Sequence, residues 1–175
     1  ELSNGADYYA LGGFSISPDE QTVAFTEDRT GDGNHTLRLR GLDSGVVTTI
    51  ADGLEPNLAW NGDVVLAVEK ETNSVVEHMP DGQKAILYRE TDPAFSLSVR
   101  TARDRKTVVI TSESHRATEI RVLSPGGELQ LIAPRQEGHR YRLMIGADHM
   151  TVLSNYKRPE YAIALIQEGE VNPSD

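Results

Sequence analysis

The chain has 175 residues, the size of one domain, and its 17 Lys and Arg against 27 Asp and Glu leave a formal charge of −10, which disfavours nucleic acid and anionic membrane surfaces as partners. The absence of cysteine excludes a disulfide framework, thiol catalysis and any cysteine-bearing zinc site. No apolar run approaches the ~20 residues of a membrane span and residues 1–9 are too polar for a signal peptide, so we expect a soluble chain of the cytoplasm, with the periplasm as the alternative.

Along the chain, short runs alternate apolar and polar side chains with the two-residue period of half-buried strands. Phe14-Ser15-Ile16-Ser17-Pro18-Asp19 opens the first unit, Val23-Ala24-Phe25-Thr26 continues it, and Leu37-Arg38-Leu39-Arg40 closes it before Asp43-Ser44-Gly45. Val64 to Val68, Thr107 to Thr111, Glu119 to Leu123, Met150 to Leu153 and Tyr161 to Ile166 are rich in β-branched and aliphatic residues. Ala94 to Ser124 is long enough for a helix, but Val108-Val109-Ile110-Thr111 lies in its middle, so it too is predicted as strands. Between the runs, Gly31-Asp32-Gly33-Asn34, Asn61-Gly62-Asp63, Pro80-Asp81-Gly82 and Pro125-Gly126-Gly127 supply tight-turn chemistry, which makes a meander of hairpins.

The strand pairs opening at Phe14, Leu58, Leu97 and Leu143 are 44, 39 and 46 residues apart, the spacing of a four-stranded propeller blade. The predicted fold is therefore all-β: about four blades of antiparallel sheet in a single partial β-propeller domain over 1–175, with approximate blades 8–53, 54–93, 94–138 and 139–170. Such a blade buries its faces only against its neighbours, so an incomplete ring leaves bare outer faces and a homodimer through exposed blade edges is expected.

Candidate chemistry is sparse. Gly13-Phe14-Ser15-Ile16-Ser17 lacks the second glycine of a nucleophile elbow and lies in an alternating strand, so Ser15 is expected to be a strand serine. Asp28 to Asn34 resembles a calcium loop, but its twelfth position is Leu39 where a bidentate Glu belongs, which favours a polar hairpin turn. His35, His78, His115, His139 and His149 show no i, i+4 pairing, and the sequon Asn34-His35-Thr36 is short enough to arise by chance. Arg100 to Lys106 reads as a solvated hairpin tip, with contact to a partner domain or an acidic peptide as the alternative, and Glu69-Lys70-Glu71 and Gln167 to Glu170 read as solvated turns. Catalytic residues, metal ligands and cofactors are all expected to be none.

The ordered series Tyr8 to Asp19, Ala24 to Asp32, Trp60, His78, Leu87 to Phe95, Thr118 to Arg121, Pro134-Arg135, Gly138, Tyr141 and Leu153-Ser154-Asn155 resembles the β-propeller domain of the prolyl oligopeptidase family of serine peptidases, most closely its oligopeptidase B (protease II) branch. The stretch Met79 to Gln83 departs from it, being shorter than the family's loop. The resemblance implies a seven-bladed propeller beside an α/β-hydrolase domain that holds the Ser, Asp and His of the triad, so this chain matches only a catalytically inert propeller fragment. It further implies a parent that cleaves short peptides after Arg or Lys, a propeller that gates entry by size, and partners consisting of the missing hydrolase domain, the remaining blades and short basic peptides. Pro134-Arg135 and Tyr141 fall at a blade boundary, where an Arg bridging carboxylates or carbonyls packs blade on blade. The alternative is a stand-alone peptide- or protein-binding propeller module with no enzymatic parent.

Overall fold

The computed structural model describes residues 5, 7–146, 149–156 and 160–166. Among them are fourteen strands and no helix, and every strand pairing is antiparallel. The first sheet runs β1 (Ala10–Ile16), β2 (Thr22–Asp28), β3 (His35–Gly41), β4 (Val47–Asn61), β5 (Val64–Glu69), β6 (Ser74–His78) and β7 (Lys84–Arg89) in simple up-and-down order. The second holds β8 (Ser96–Thr101), β9 (Val108–Glu113), β10 (Thr118–Leu123) and β11 (Leu129–Ala133), and the third β12 (Tyr141–Ile145), β13 (Met150–Ser154) and β14 (Ala162–Ile166).

The 15-residue β4 joins two blades. Its first part pairs with β3 and its last residues, Leu58 to Asn61, pair with β5, with a register shift between Leu54 and Leu58. Pro56 sits in that shift, where a residue without an N–H donor breaks the ladder without orphaning a partner. β4 thereby closes the first blade and opens the second, so the two share one continuous strand.

Three cores lie between successive blades, and alternation along single strands builds them. Val65 and Ala67 of β5 join Ala24, Leu37 and Trp60 in the first core. Leu66 and Val68 of the same strand join Leu97, Val108 and Ile110 in the second. Val109, Ile120 and Val122 then meet Tyr141, Leu143 and Val152 in the third. Central strands such as β5 and β9 therefore read as continuous apolar runs, because both of their faces are buried.

The inner strands β1, β4, β8 and β12 lie toward the common axis. Gly12 and Gly13 let β1 cross close to the β4 break: a Cβ on Gly13 would lie 2.8 Å from the Pro56 carbonyl oxygen, and one on Gly12 2.5 Å from Thr26 Oγ1. Thr26 Oγ1 donates to that carbonyl at 2.5 Å and accepts from Gly13 N–H at 2.9 Å. Trp60 Nε1 donates to the Ser15 carbonyl at 3.0 Å and fastens the first blade to the second.

Candidate functional site: an ionic joint between blades

Arg135, in the linker between β11 and β12, reaches back across the boundary of the second and third blades. Its Nη2 lies 2.6 Å from Glu90 Oε2, in the β7–β8 linker, and 3.1 Å from Glu119 Oε1, on β10. Asp92 lies farther off, at 3.9 Å. The guanidinium plane covers the Phe95 ring at 3.9 Å, so its apolar face is packed while its edge serves the carboxylates.

Each carboxylate is held from several sides. Glu90 Oε2 accepts from Ser112 Oγ at 2.5 Å, Glu90 Oε1 from the Asp92 N–H at 2.9 Å, and Tyr88 OH approaches at 3.4 Å. Arg121 Nη1 reaches Glu119 at 2.5 Å, and the Arg121 guanidinium carbon lies 4.0 Å from the centre of the Tyr88 ring. Burial pushes the Glu90 carboxyl up, but bonds from Arg135, Ser112 and Asp92 outweigh it and hold the group down at about 2, from an ordinary 4.5. Glu119 is likewise lowered: Arg135 and Arg121 overcome its desolvation. The bonds to Glu90 and Glu119 raise the Arg135 guanidinium above its ordinary value.

The next boundary, between the third and fourth blades, is fixed by neutral bonds. Tyr141 OH accepts from Ile120 N–H at 2.8 Å and donates to the Ala133 carbonyl at 3.1 Å, and burial pushes this phenol up to about 12. Asn155 Oδ1 accepts from Arg140 N–H at 2.7 Å while its Nδ2 donates to the Gly138 carbonyl at 3.0 Å. His139 Nε2 lies 2.8 Å from Ser154 Oγ, with the ring stacked on Tyr141, and burial lowers its pKa. The segments Leu87 to Phe95, Thr118 to Arg121, Pro134-Arg135, Gly138, Tyr141 and Leu153 to Asn155, far apart in the chain, thus converge on the joints between blades two, three and four.

The other candidates separate. Ser15 lies in β1, and its carbonyl is the acceptor for Trp60. The Asp28 carboxylate accepts from Thr30 N–H, Thr30 Oγ1, Gly31 N–H and Gly33 N–H at 2.8–3.1 Å, which holds it at about 2 and makes the loop a self-capped hairpin turn. No group of three or more His, Asp or Glu residues among the described residues could hold a metal ion. His78 is buried at the end of β6 and lowered by desolvation, while His115 and His149 are exposed. His35 Nδ1 faces the Gly33 carbonyl at 3.2 Å, and Asn34 of the sequon binds Asp32.

Lys70 Nζ donates to the Gly33 carbonyl and Glu69 pairs with Lys84 at 2.7 Å. The basic cluster divides: Arg100 donates across to the Leu143 carbonyl, whereas residues 102–107 form a turn in which Asp104 accepts from Lys106 and Thr107. Gln167 to Glu170 lie outside the described residues. What sequence reasoning missed was Glu90 and Glu119 as Arg135's partners; the signal was two carboxylates placed at strand ends beside Tyr88 and Arg121.

The family model for the prolyl oligopeptidase N-terminal β-propeller domain matches residues 1–175. Dipeptidyl aminopeptidase BI of Pseudoxanthomonas mexicana is 31% identical over 163 residues, covering 85% of this chain and 22% of that protein. Protease 2 of Moraxella lacunata is 21% identical over 183 residues, covering 89% and 25%. Among solved structures, oligopeptidase B from Leishmania major superposes with a TM-score of 0.83 at 25% identity, over 96% of this chain and 26% of that one. The chain therefore spans about a quarter of the length of these relatives. With its antiparallel blades and the family match over residues 1–175, the chain belongs to the prolyl oligopeptidase family, as part of that family's N-terminal β-propeller domain.

Proposed function

We propose that the chain serves a serine oligopeptidase as the lid over its active site, admitting short peptides and excluding folded chains, with cleavage after Arg or Lys carried out by a hydrolase domain outside this sequence. The observation that carries this reading is the Arg135 joint, supported by the family match and by the likeness to oligopeptidase B. A lid that screens by size has to resist being pushed open by a larger substrate. Blades tied by buried charge-assisted bonds resist being levered apart better than blades held by apolar packing alone, because apolar contacts slide without a directional cost. The acidic surface also favours the approach of cationic peptides over anionic ones.

The test is made in the full-length parent enzyme by comparing hydrolysis of a short Arg-containing peptide with that of a long unstructured one of the same cleavage sequence. Arg135→Ala is expected to raise the long-to-short ratio roughly tenfold by loosening the ring. An unchanged ratio in a folded variant would overturn gating by this joint. The 175-residue chain alone is expected to show neither labelling by an active-site serine probe nor turnover of an Arg-ending fluorogenic peptide; either signal would overturn the assignment of catalysis to another domain.

A further inference from the structure

The inner strands do not meet equally around the axis. β4 packs against both β1 and β8, whereas β12 packs chiefly on β10 and meets β8 through the bond from Arg100 to the Leu143 carbonyl. Between the third and fourth blades lies a crevice of about 510 Å³, lined by Ser98, Arg100 and Thr111 of one blade and Tyr141, Arg142 and Leu143 of the next.

One side of that crevice is a strand edge. Among the described residues β12 pairs with β13 alone. Asn155 N–H donates to the Arg140 carbonyl at 3.2 Å and Gly146 N–H to the His149 carbonyl at 2.9 Å, so even-numbered residues turn their peptide groups toward β13. By alternation, those of Tyr141, Leu143 and Ile145 turn toward the axis. Arg100 Nη2 confirms the direction, because it donates to the Leu143 carbonyl from across the crevice. An edge of this kind can accept an extended peptide as an added strand.

The charge of the crevice runs against that of the chain. Arg100 and Arg142 form no ion pair among the described residues, and Glu113, the carboxylate in the wall, is engaged by Arg140. Desolvation pulls the Arg100 guanidinium below its ordinary value with no carboxylate to offset it. Two guanidinium groups outside any ion pair among the described residues, Arg100 bonded to an uncharged carbonyl and Arg142 lining the same crevice, lie beside an open strand edge in a chain of net charge −10 and form a local site for an anion.

We propose that this crevice binds a peptide in extended form along the free edge of β12, with a carboxylate of the peptide held by Arg142 and Arg100. The ligand class rests on the peptide-processing function proposed above; the carboxylate specificity rests on the crevice itself. The carboxylate comes either from the C-terminus of the peptide or from an acidic side chain.

Isothermal titration of the full 175-residue chain decides the matter with three peptides of one uncharged, N-terminally blocked sequence: the C-terminal acid, its amide, and an amide carrying one Glu. The acid is expected to bind roughly tenfold more tightly than the plain amide and to weaken as salt is added. Binding of the Glu-bearing amide as tight as that of the acid assigns the site to acidic side chains as well; binding as weak as the plain amide restricts it to C-termini. Arg142→Ala should remove the preference for the acid and Arg142→Lys should restore part of it, while Arg116→Ala, at an exposed pair with Glu137, should leave it unchanged. Equal affinity for acid and amide, absence of binding by all three, or a folded Arg142→Ala chain that still prefers the acid would overturn the proposal. If Arg142→Ala does not fold, the comparison of acid with amide on the unaltered chain still decides. An unchanged length ratio in the parent would sink gating while leaving this preference intact, so the two failures are distinguishable.

Discussion

Arg135 joins two buried carboxylates, Glu90 and Glu119, at one joint between blades. Its removal leaves Glu90 and Glu119, each 6% exposed, facing one another's charge with only Arg121 and neutral donors nearby. Breaking a buried ion pair costs about 3–5 kcal/mol, and because Arg135 keeps 28% exposure we expect roughly 2–4 kcal/mol for Arg135→Ala, read from urea unfolding. Arg135→Lys should recover only part of this, since a point charge cannot serve two carboxylates and stack on Phe95 at once. Acid should weaken the same joint. The folded pKa of Glu90, about 2, and that of Glu119 lie below the ordinary 4.5. Their contribution is therefore complete above the unfolded value and is lost as pH falls from about 4.5 toward 2. Thermal melts across that window should show a steep fall in the unaltered chain and a shallower one in a Glu90→Gln, Glu119→Gln variant; parallel curves would show that other groups govern acid unfolding.

Strands gain their stability here from having two buried faces. Leu66, fully buried in the second core, should cost about 2–5 kcal/mol when cut to Ala. Ile16, 47% exposed on β1, should cost far less for the same chemical change. The close crossing of β1 and β4 makes the opposite kind of demand. Gly13→Ala would place a methyl 2.8 Å from a backbone carbonyl, so the strands must part and the loss should be roughly 1–3 kcal/mol. Trp60 reports that separation directly: it is the chain's single tryptophan and it is bonded to β1. Its fluorescence should shift to the red and become more open to acrylamide in the Gly13→Ala chain; an unmoved spectrum at unchanged stability would mean that the crossing absorbs the methyl.

At the scale of the whole molecule the row of blades has two open ends among the described residues. Phe14 is 68% exposed at one, and Ile163 and Leu165 are each 71% exposed at the other. Exposed apolar side chains on sheet faces and strand edges favour association. We expect light scattering of the 175-residue chain to show mass rising with concentration, and Ile163→Lys with Leu165→Lys to suppress that rise. A dilution-independent mass of 19.2 kDa would rule the association out.

Much of this architecture was legible in the chain. The repeat interval from Phe14 to Leu143, the apolar runs at Val64 and Val108 and the turn chemistry follow from local physics: period-two patterning, β-branched side chains and residues that permit tight turns. Those are properties of neighbours in sequence, and so the all-β blade reading needed nothing else. Strand β4 was not legible as one element, because Pro56 reads as a break unless the register shift that tolerates it is seen. Nor did sequence show which carboxylates Arg135 would choose, since Glu90 lies 45 residues away and local rules carry no information over that separation. The crevice beside β12 depends still more on the assembled fold, because residues of two separate sheets, Ser98 and Arg100 on one and Tyr141 and Leu143 on the other, line it together. Sequence determined what each strand is; only tertiary structure decided which charges meet and which edges stay open, because long-range packing sets those distances.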